Sequence, residues 1–396
     1  MNGLAEPLLL AFVAASAATW LHLTVLRGGF WRDGPYLEPA GSAPDQWPAV
    51  VAVVPARNEV DVIGVSVAGL QNQDYAGPFS IVLVDDQSSD ATAERARRDD
   101  TGSRALHVVT GAPLPAGWTG KLWAVAQGIE HAQRSLPSSK YIWLSDADIV
   151  HDPEVLRMLV AKAERDALGL VSQMVLLRCD GAWERLLIPA FVFFFKKLYP
   201  FSWVNDRRRR TAGAAGGCML VGTAALEAQG GIADIRGEII DDCALARAIK
   251  PHQPIWLGLT RASRSLRRYD RLADVWNMVA RTAFVQLRHS LVLVAGAVLA
   301  MAVVYLVPPT AAIIGLATGS LPLLLLGFAA WGMMGLAYRP TLQLFNLSTW
   351  RGFLLPIAAL LYTLMTIASA WRSLSGQGPR WKDRQYVGGI GTGLEP

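Results

Sequence analysis

The sequence predicts an α/β domain with a mostly parallel sheet, joined to transmembrane α-helices. Three observations predict it. Short apolar runs alternate with helical stretches through the middle of the chain. Three of those runs end in polar clusters. Apolar residues in excess of any soluble core gather near the N-terminus and after about residue 290. Of the 396 residues, 52% are hydrophobic and 17% charged, against roughly 25% charged in an ordinary soluble domain. The intervening stretch, on the order of 240 residues, has soluble composition and can bury one sizeable core.

Residues 50–54 form an apolar run that closes on Pro55-Ala56-Arg57-Asn58-Glu59. Such a run, bounded by turn residues, suits a strand buried on both faces. A helical stretch to about Gln71 follows. A second strand spans 80–84 and ends in Asp85-Asp86-Gln87-Ser88-Ser89-Asp90, before helical residues 91–98. Residues 106–109 read as a third strand, 118–134 as a helix, and 141–144 as a fourth strand ending in Asp146-Ala147-Asp148. Strand and helix in alternation imply a parallel sheet covered on both faces. Ligands of such sheets bind beyond the C-terminal ends of the strands. Those are the places where the polar clusters fall.

Residues 8–26 are uncharged and mostly apolar, about 28 Å as a helix and long enough to span a bilayer. Glu6 precedes them and Arg27 and Arg32 follow. This is the reverse of a signal peptide's polarity. The expectation is an uncleaved anchor with its N-terminus outside and the middle domain inside. Residues 291–307, 321–338 and 353–371 are further candidates, with Pro308-Pro309 expected to break the first from the second. Arg339 and Arg351 mark the loop between the last two as cytoplasmic. Four full crossings would leave Arg372, Arg380, Lys382 and Arg384 outside, against the charge rule. Either one segment is re-entrant or interfacial, or the tail is an exception. The division expected is 1–47 anchor and linker, 48–270 catalytic domain, 271–290 amphipathic interfacial segment, 291–372 membrane helices and 373–396 basic tail.

The formal charge of +5 admits nucleic acid, anionic lipid or phosphate-bearing partners. Arginines flanking apolar segments favour the membrane surface, and no RNA-binding fold surrounds Arg207-Arg208-Arg209-Arg210. That run is a headgroup or diphosphate contact, or a solvated loop; nucleic acid is not an expected partner. Cys179, Cys218 and Cys243 have neither zinc nor disulfide spacing and read as reduced thiols. Residues 186–201, about 16 long, are short for a span. They suit an interfacial element or a buried helix of the soluble core.

Asp146 and Asp148, two apart at a strand end, offer hard oxygen ligands to Mg²⁺ or Mn²⁺, or merely an acidic turn capping the next helix. Asp85 and Asp86 can receive hydrogen bonds from a nucleoside, while Ser88, Ser89 or Asp90 caps a helix. Lys121, at a helix start, faces a phosphate or solvent. Asp241 and Asp242 open another helix, as caps or as a base for an acceptor hydroxyl. Residues 213–217 are small enough for close backbone approach to a ligand.

Taken in order, Val54-Pro55-Ala56-Arg57-Asn58-Glu59, Val84 to Asp90, Gly120-Lys121, Ser145 to Asp148 and Asp241-Asp242 resemble the successive motifs of family 2 glycosyltransferases with a GT-A nucleotide-sugar-binding domain. Arg281 to Arg288 and Trp381 to Tyr386 resemble the hopene-associated glycosyltransferases of hopanoid-producing bacteria. The resemblance implies that Asp86 contacts the donor's base, with Pro55, Arg57, Glu59 and Asp85 in the same pocket and Lys121 toward the phosphates. It implies Asp146 and Asp148 at the metal and diphosphate, and Asp242 as catalytic base with Asp241 before it. Arg281, Gln286, Trp381 and Arg384 fall on the acceptor or membrane side. The Gln-x-x-Arg-Trp motif of processive relatives is absent, which favours single sugar transfer. The implied reaction is an inverting displacement, from a nucleotide-sugar donor to a lipid acceptor related to hopanoids, at the cytoplasmic face of the inner membrane. Two alternatives stand beside it: transfer to a polyprenyl phosphate, and a non-catalytic membrane binding protein.

Overall fold

The computed structural model describes residues 5–38, 46–376, 380–381 and 384–385. The chain divides into two compact units, one comprising 34–178, 203–268 and 377–396, the other 1–33, 179–202 and 269–376. The first is an α/β unit around an eight-stranded sheet. Its strands are β1 (Val50–Ala56), β2 (Phe79–Asp85), β3 (Ala105–Thr110), β4 (Tyr141–Ser145), β5 (Ile149–His151), β6 (Leu170–Leu176), β7 (Cys218–Gly222) and β8 (Ile255–Ser265). They lie in the order β3-β2-β1-β4-β7-β6-β8-β5.

β1 is buried along its whole length and β4 likewise, as continuous apolar runs require when helices cover both faces. β1 pairs in parallel with β2 and β4, and β2 with β3. The register sets Ala56 opposite Asp85 and Asp85 opposite Thr110, so three strands end on one rim. β7 runs antiparallel to β4 with Cys218 opposite Ser145, which returns residues 216–217 to the same rim. β8 pairs in parallel with β6, and Ser265 at its end lies opposite Ile149 of β5. Thus the second half of the sheet delivers its own chain ends beside Asp146 and Asp148. The core beneath the rim is built from Val50, Ile63, Leu70, Ile81, Trp143 and Leu159, among others.

The second unit is helical. Among the described residues, five helices are long and apolar enough to cross a membrane: Glu6–Leu26, Ala182–Val204, Leu291–Thr318, Leu321–Leu344 and Thr349–Leu374. Ala182–Val204 is therefore not too short, contrary to expectation, and it groups with the helical unit rather than interrupting the soluble core. It cannot carry the chain across, because β4 before it and β7 after it pair in one sheet. Phe193 and Leu187 pack instead with Trp20, Tyr338 and Tyr362.

Pro308 and Pro309 do not break a helix. The helical path runs from Leu291 through a π-turn at Ala302–Leu306 to Thr318. A proline inside a helix removes the N–H owed to the carbonyl four residues back. Here that carbonyl belongs to Val304, and it accepts from Ser16 Oγ at 3.2 Å and Trp20 Nε1 at 2.9 Å. In an apolar surrounding such substitution of partners keeps the helix continuous.

Contacts fix which helix ends share a side. Ser320, between two of the long helices, donates to Glu6 Oε1. Gly352 abuts Gly335, roughly 22 Å along its helix from Ser320 at 1.5 Å per residue. Ala370 packs with Val294 and Phe284, at the end far from Ser320. Helix Leu355–Leu374 therefore starts beside the far half of Leu321–Leu344 and finishes at that same far end. It does not return toward Ser320.

Candidate active site

Each carboxylate singled out in the sequence sits at the sheet rim, and local chemistry explains how. β1 and β2 end in two turns that clasp each other. Arg57, buried, donates from Nη1 to the carbonyls of Asp86 at 2.6 Å and Gln87 at 2.9 Å. The Asn58 amide donates to Ser88 Oγ, and the Ser89 amide returns to Asn58 Oδ1. Asn58 and Gln87 both take positive φ, so the turns are tight and mutually braced. Asp86 is fully buried. Asp85 instead receives the amide and hydroxyl of Ser88 and holds the turn.

Asp146 lies beyond β4, and helix Gly120–Ser135 carries Lys121 toward it. Lys121 Nζ stands 2.8 Å from Asp146 Oδ1 and 3.1 Å from Asp241 Oδ2. Asp242, next along helix Asp241–Ile249, accepts from the Gly216 amide at 2.9 Å and the Cys243 amide at 2.6 Å. A side chain at 216 would meet Lys121 Nζ at 3.2 Å and Asp242 Oδ2 at 3.5 Å. Glycine there lets the backbone itself close the cluster.

Three carboxylates surround one ammonium. Burial would lower the pKa of Lys121, but Asp146, Asp241 and Asp242 more than reverse this and hold it protonated. Asp146 is pushed upward, first by burial and further by Asp148 and Asp241, with Lys121 opposing. Asp242 is pushed up to about 6, by burial and then Asp241, against Lys121 and its two amide donors. The cluster is short of positive charge.

Asp148 accepts from Ser265 Oγ at 2.7 Å and lies 3.3 Å from Arg267 Nε. Arg267 also reaches Glu59 Oε1 at 2.6 Å. Sequence reading missed Ser265 and Arg267, and it missed His151. The imidazole of His151 is buried between Ser145 Oγ and Ser263 Oγ, each at 2.9 Å, so it ties β4 and β8 together behind the two aspartates. A cleft of roughly 320 Å³, counting its open mouth, is lined by Pro55, Lys121, Asp146, Gly216 and Asp241.

Among the described residues, no three His, Cys, Asp or Glu side chains gather as a ready metal cage. The donor set still fits Mg²⁺ or Mn²⁺, which take one or two carboxylates and complete their shell with substrate phosphates and water. The surplus negative charge at Asp146 is the supporting observation.

Other candidates fall elsewhere. Arg281 and Gln286 belong to the helical unit, where Gln286 Oε1 accepts from Tyr199 at 2.9 Å and Arg281 Nε makes no hydrogen bond. Trp381 and Arg384 face each other in a two-stranded antiparallel pairing, and their side chains lie outside the described residues. Arg207 to Arg210 are exposed, Arg209 stacking on Trp203 at 4.7 Å. All three cysteines are free thiols.

The family model described as Glycosyl transferase family 2 matches residues 51–228. Residues 51–228, somewhat less than half of the chain, thus match the family 2 glycosyltransferase model; the sheet unit has the GT-A fold, and the chain is an enzyme of the glycosyltransferase class. No curated protein matches the chain. Among solved structures, the mannosyltransferase PcManGT from Pyrobaculum calidifontis, in complex with GDP-Man and Mn²⁺, is similar over 90% of this chain and 99% of its own, at 20% identity and a TM-score of 0.53. S. aureus TarS 1–349 in complex with UDP-GlcNAc is similar over 88% of this chain and 98% of its own, at 14% identity and a TM-score of 0.40.

Proposed function

We propose that this enzyme is a membrane-bound, inverting glycosyltransferase that moves one sugar from a nucleotide-sugar donor to the hydroxyl of a lipid, hopanoid-related acceptor. The observation that carries the reading is the convergence of Lys121, Asp146 and Asp241 at one cleft, with Asp242 held beside it by the amide of Gly216, which lines that cleft. Asp86, with Pro55 and Arg57 beside it, receives the nucleoside. Asp146 and Asp148 would hold a divalent cation, whose charge neutralises the diphosphate leaving group when it is bound. Lys121 supplies a fixed positive charge toward the same group. Asp242 takes the proton of the acceptor hydroxyl as that oxygen attacks the anomeric carbon, and Asp241 keeps Lys121 in place.

Asp242 suits that duty. Its raised pKa makes it a better base than an exposed aspartate, while it is still mostly ionised at neutral pH. The lipid acceptor is supported by the apolar helices, and the hopanoid assignment rests on sequence resemblance alone. The placement we propose is the inner membrane with the sheet unit on the cytoplasmic side. Glu6–Leu26, Leu291–Thr318 and Leu321–Leu344 would cross, and Thr349–Leu374 would stay on the cytoplasmic side. That arrangement keeps Arg372 and the basic tail inside, as the charge rule asks.

Screening radiolabelled UDP- and GDP-sugars against membrane lipid extract, with and without Mn²⁺, tests the reading. A labelled lipid whose mass shows one added sugar is the expected product. Absence of transfer from every donor would leave a binding protein. Full turnover by Asp242→Asn would point to an acceptor that is already anionic, such as a polyprenyl phosphate.

A further inference from the structure

The helical unit contains a second charged cleft, made only of its own residues. Arg185, Tyr338, Leu342, Arg351, Leu354 and Leu355 line it as a shallow groove rather than an enclosed cavity, with Arg185 exposed and Arg351 half-buried at its mouth. Three features distinguish it from ordinary helix packing.

The first is unbalanced charge. Among the described residues, no carboxylate is in ion-pair contact with either Arg185 or Arg351. Glu184, the acid nearest in sequence, is occupied by the amides of Asp180, Gly181 and Tyr269. Arg351 lies over the ring of Trp350, at 5.4 Å, and its charge also reaches Cys179 and Tyr338. Second, the Tyr338 hydroxyl is buried without a hydrogen-bond partner, although the residue is only 2% exposed and lines the cleft. One turn on, the Thr341 hydroxyl is buried and equally unpartnered. Native interiors seldom leave such groups unsatisfied, and an absent ligand is one standard reason.

The third feature is depth. The cleft lies where three apolar helices have their ends: the start of Ala182–Val204, the end of Leu321–Leu344 and the start of Thr349–Leu374. From Ser320 to Tyr338 is about 27 Å at 1.5 Å per residue, close to the ~30 Å thickness of a bilayer's hydrocarbon core. An anionic group in this cleft would sit at headgroup level, with apolar leucines below it to meet acyl chains.

We propose that this cleft binds a phosphate group, and specifically the phosphate of a membrane phospholipid. Arg185 and Arg351 provide the charge, and the Tyr338 hydroxyl donates a hydrogen bond. The proposal is independent of which acceptor the sheet unit glycosylates. Charge-assisted hydrogen bonds from guanidinium to phosphate are among the strongest available to a protein. A phenol with no protein partner loses nothing internally by turning to a ligand.

The test uses the purified full chain in detergent, titrated separately with phosphatidylglycerol, with diacylglycerol of the same chains, and with inorganic phosphate. The readout is the rise in Tm and bound lipid counted by native mass spectrometry. Phosphatidylglycerol should bind and stabilise, and diacylglycerol should not. The pair Arg185→Gln with Arg351→Gln should weaken phosphatidylglycerol binding about tenfold or more, as loss of a charge-assisted contact implies. Tyr338→Phe should weaken it by a smaller factor while leaving the Tm without lipid unchanged or higher. Arg339→Gln, an exposed arginine outside the cleft, should change nothing. Stabilisation by inorganic phosphate that vanishes in the double variant would support the same site filled from solution. Equal binding of phosphatidylglycerol by wild type, the double variant and Tyr338→Phe would overturn the proposal. So would an equal loss in Arg339→Gln, which would reduce it to diffuse surface attraction.

Discussion

The two units hold charge in opposite ways. At the sheet rim, Asp146, Asp241 and Asp242 crowd around the single ammonium of Lys121. In the helical unit, Arg185 and Arg351 line a cleft with no acid paired to them. A closed structural ion pair needs equal numbers, since the cost of burying charge is offset only by a well-matched partner. On the readings proposed above, the rim would take a cation and the proton of the acceptor hydroxyl, and the cleft an anion.

The largest expected effect tests the rim. Asp242→Asn keeps the shape and one of the two amide contacts but removes the base. Transfer to a hydroxyl acceptor should fall by roughly 10²- to 10⁴-fold, with donor affinity little changed, read by single-turnover transfer beside equilibrium donor binding. A loss confined to donor binding would make Asp242 part of the donor pocket instead.

Lys121→Met should come next. It leaves three half-buried carboxylates without their ammonium, and a loss of about 10²-fold in kcat is expected from removing one preorganised positive charge. Raising Mn²⁺ should recover part of this loss, because a cation would then answer more of the negative charge. Complete indifference of the variant to Mn²⁺ would break the argument that the cluster is short of positive charge.

A third, smaller effect is pH dependence. Asp242 must be ionised to accept a proton, and its folded pKa lies near 6. kcat/KM should climb tenfold per pH unit below about 6 and level off above it. The Asp242→Asn residual activity should lack that limb. An acid limb that persists in the variant would assign it to another group.

How far these features could be read from sequence differs between the two halves of the sheet. β1 to β4 are apolar runs separated by helices, and strict alternation exposes both their positions and their parallel pairing. β6 and β7 carry similar apolar runs but pair antiparallel with each other, and helix Ala182–Leu198 intervenes between them. Local periodicity does not reveal such a partner. β8 ends in Arg261-Ala262-Ser263-Arg264-Ser265, which reads as a polar loop. Ser265 and Arg267 were invisible for that reason, although they grip Asp148. The carboxylates themselves were legible because they end strands or start a helix. The failed break at Pro308 teaches the same lesson. Its repair comes from Ser16 and Trp20, 288 and 284 residues away from the carbonyl they serve.

His151 offers the smallest effect and the cleanest separation of support from chemistry. Burial pushes its pKa down to about 3, so the imidazole is neutral throughout the working range. One ring nitrogen meets Ser145 and the other Ser263, joining the residue before Asp146 to the strand that carries Ser265. Replacing it with Phe leaves two buried hydroxyls short of a partner and should cost about 1–3 kcal/mol of stability. The expected readout is a lower Tm, partly restored by His151→Asn, which keeps a donor and an acceptor. The acid limb near pH 6 should stay where it was, because a neutral imidazole contributes nothing to it. A limb that shifts with His151, or a Tm that does not move, would show that the pair of aspartates is held by something other than this bridge.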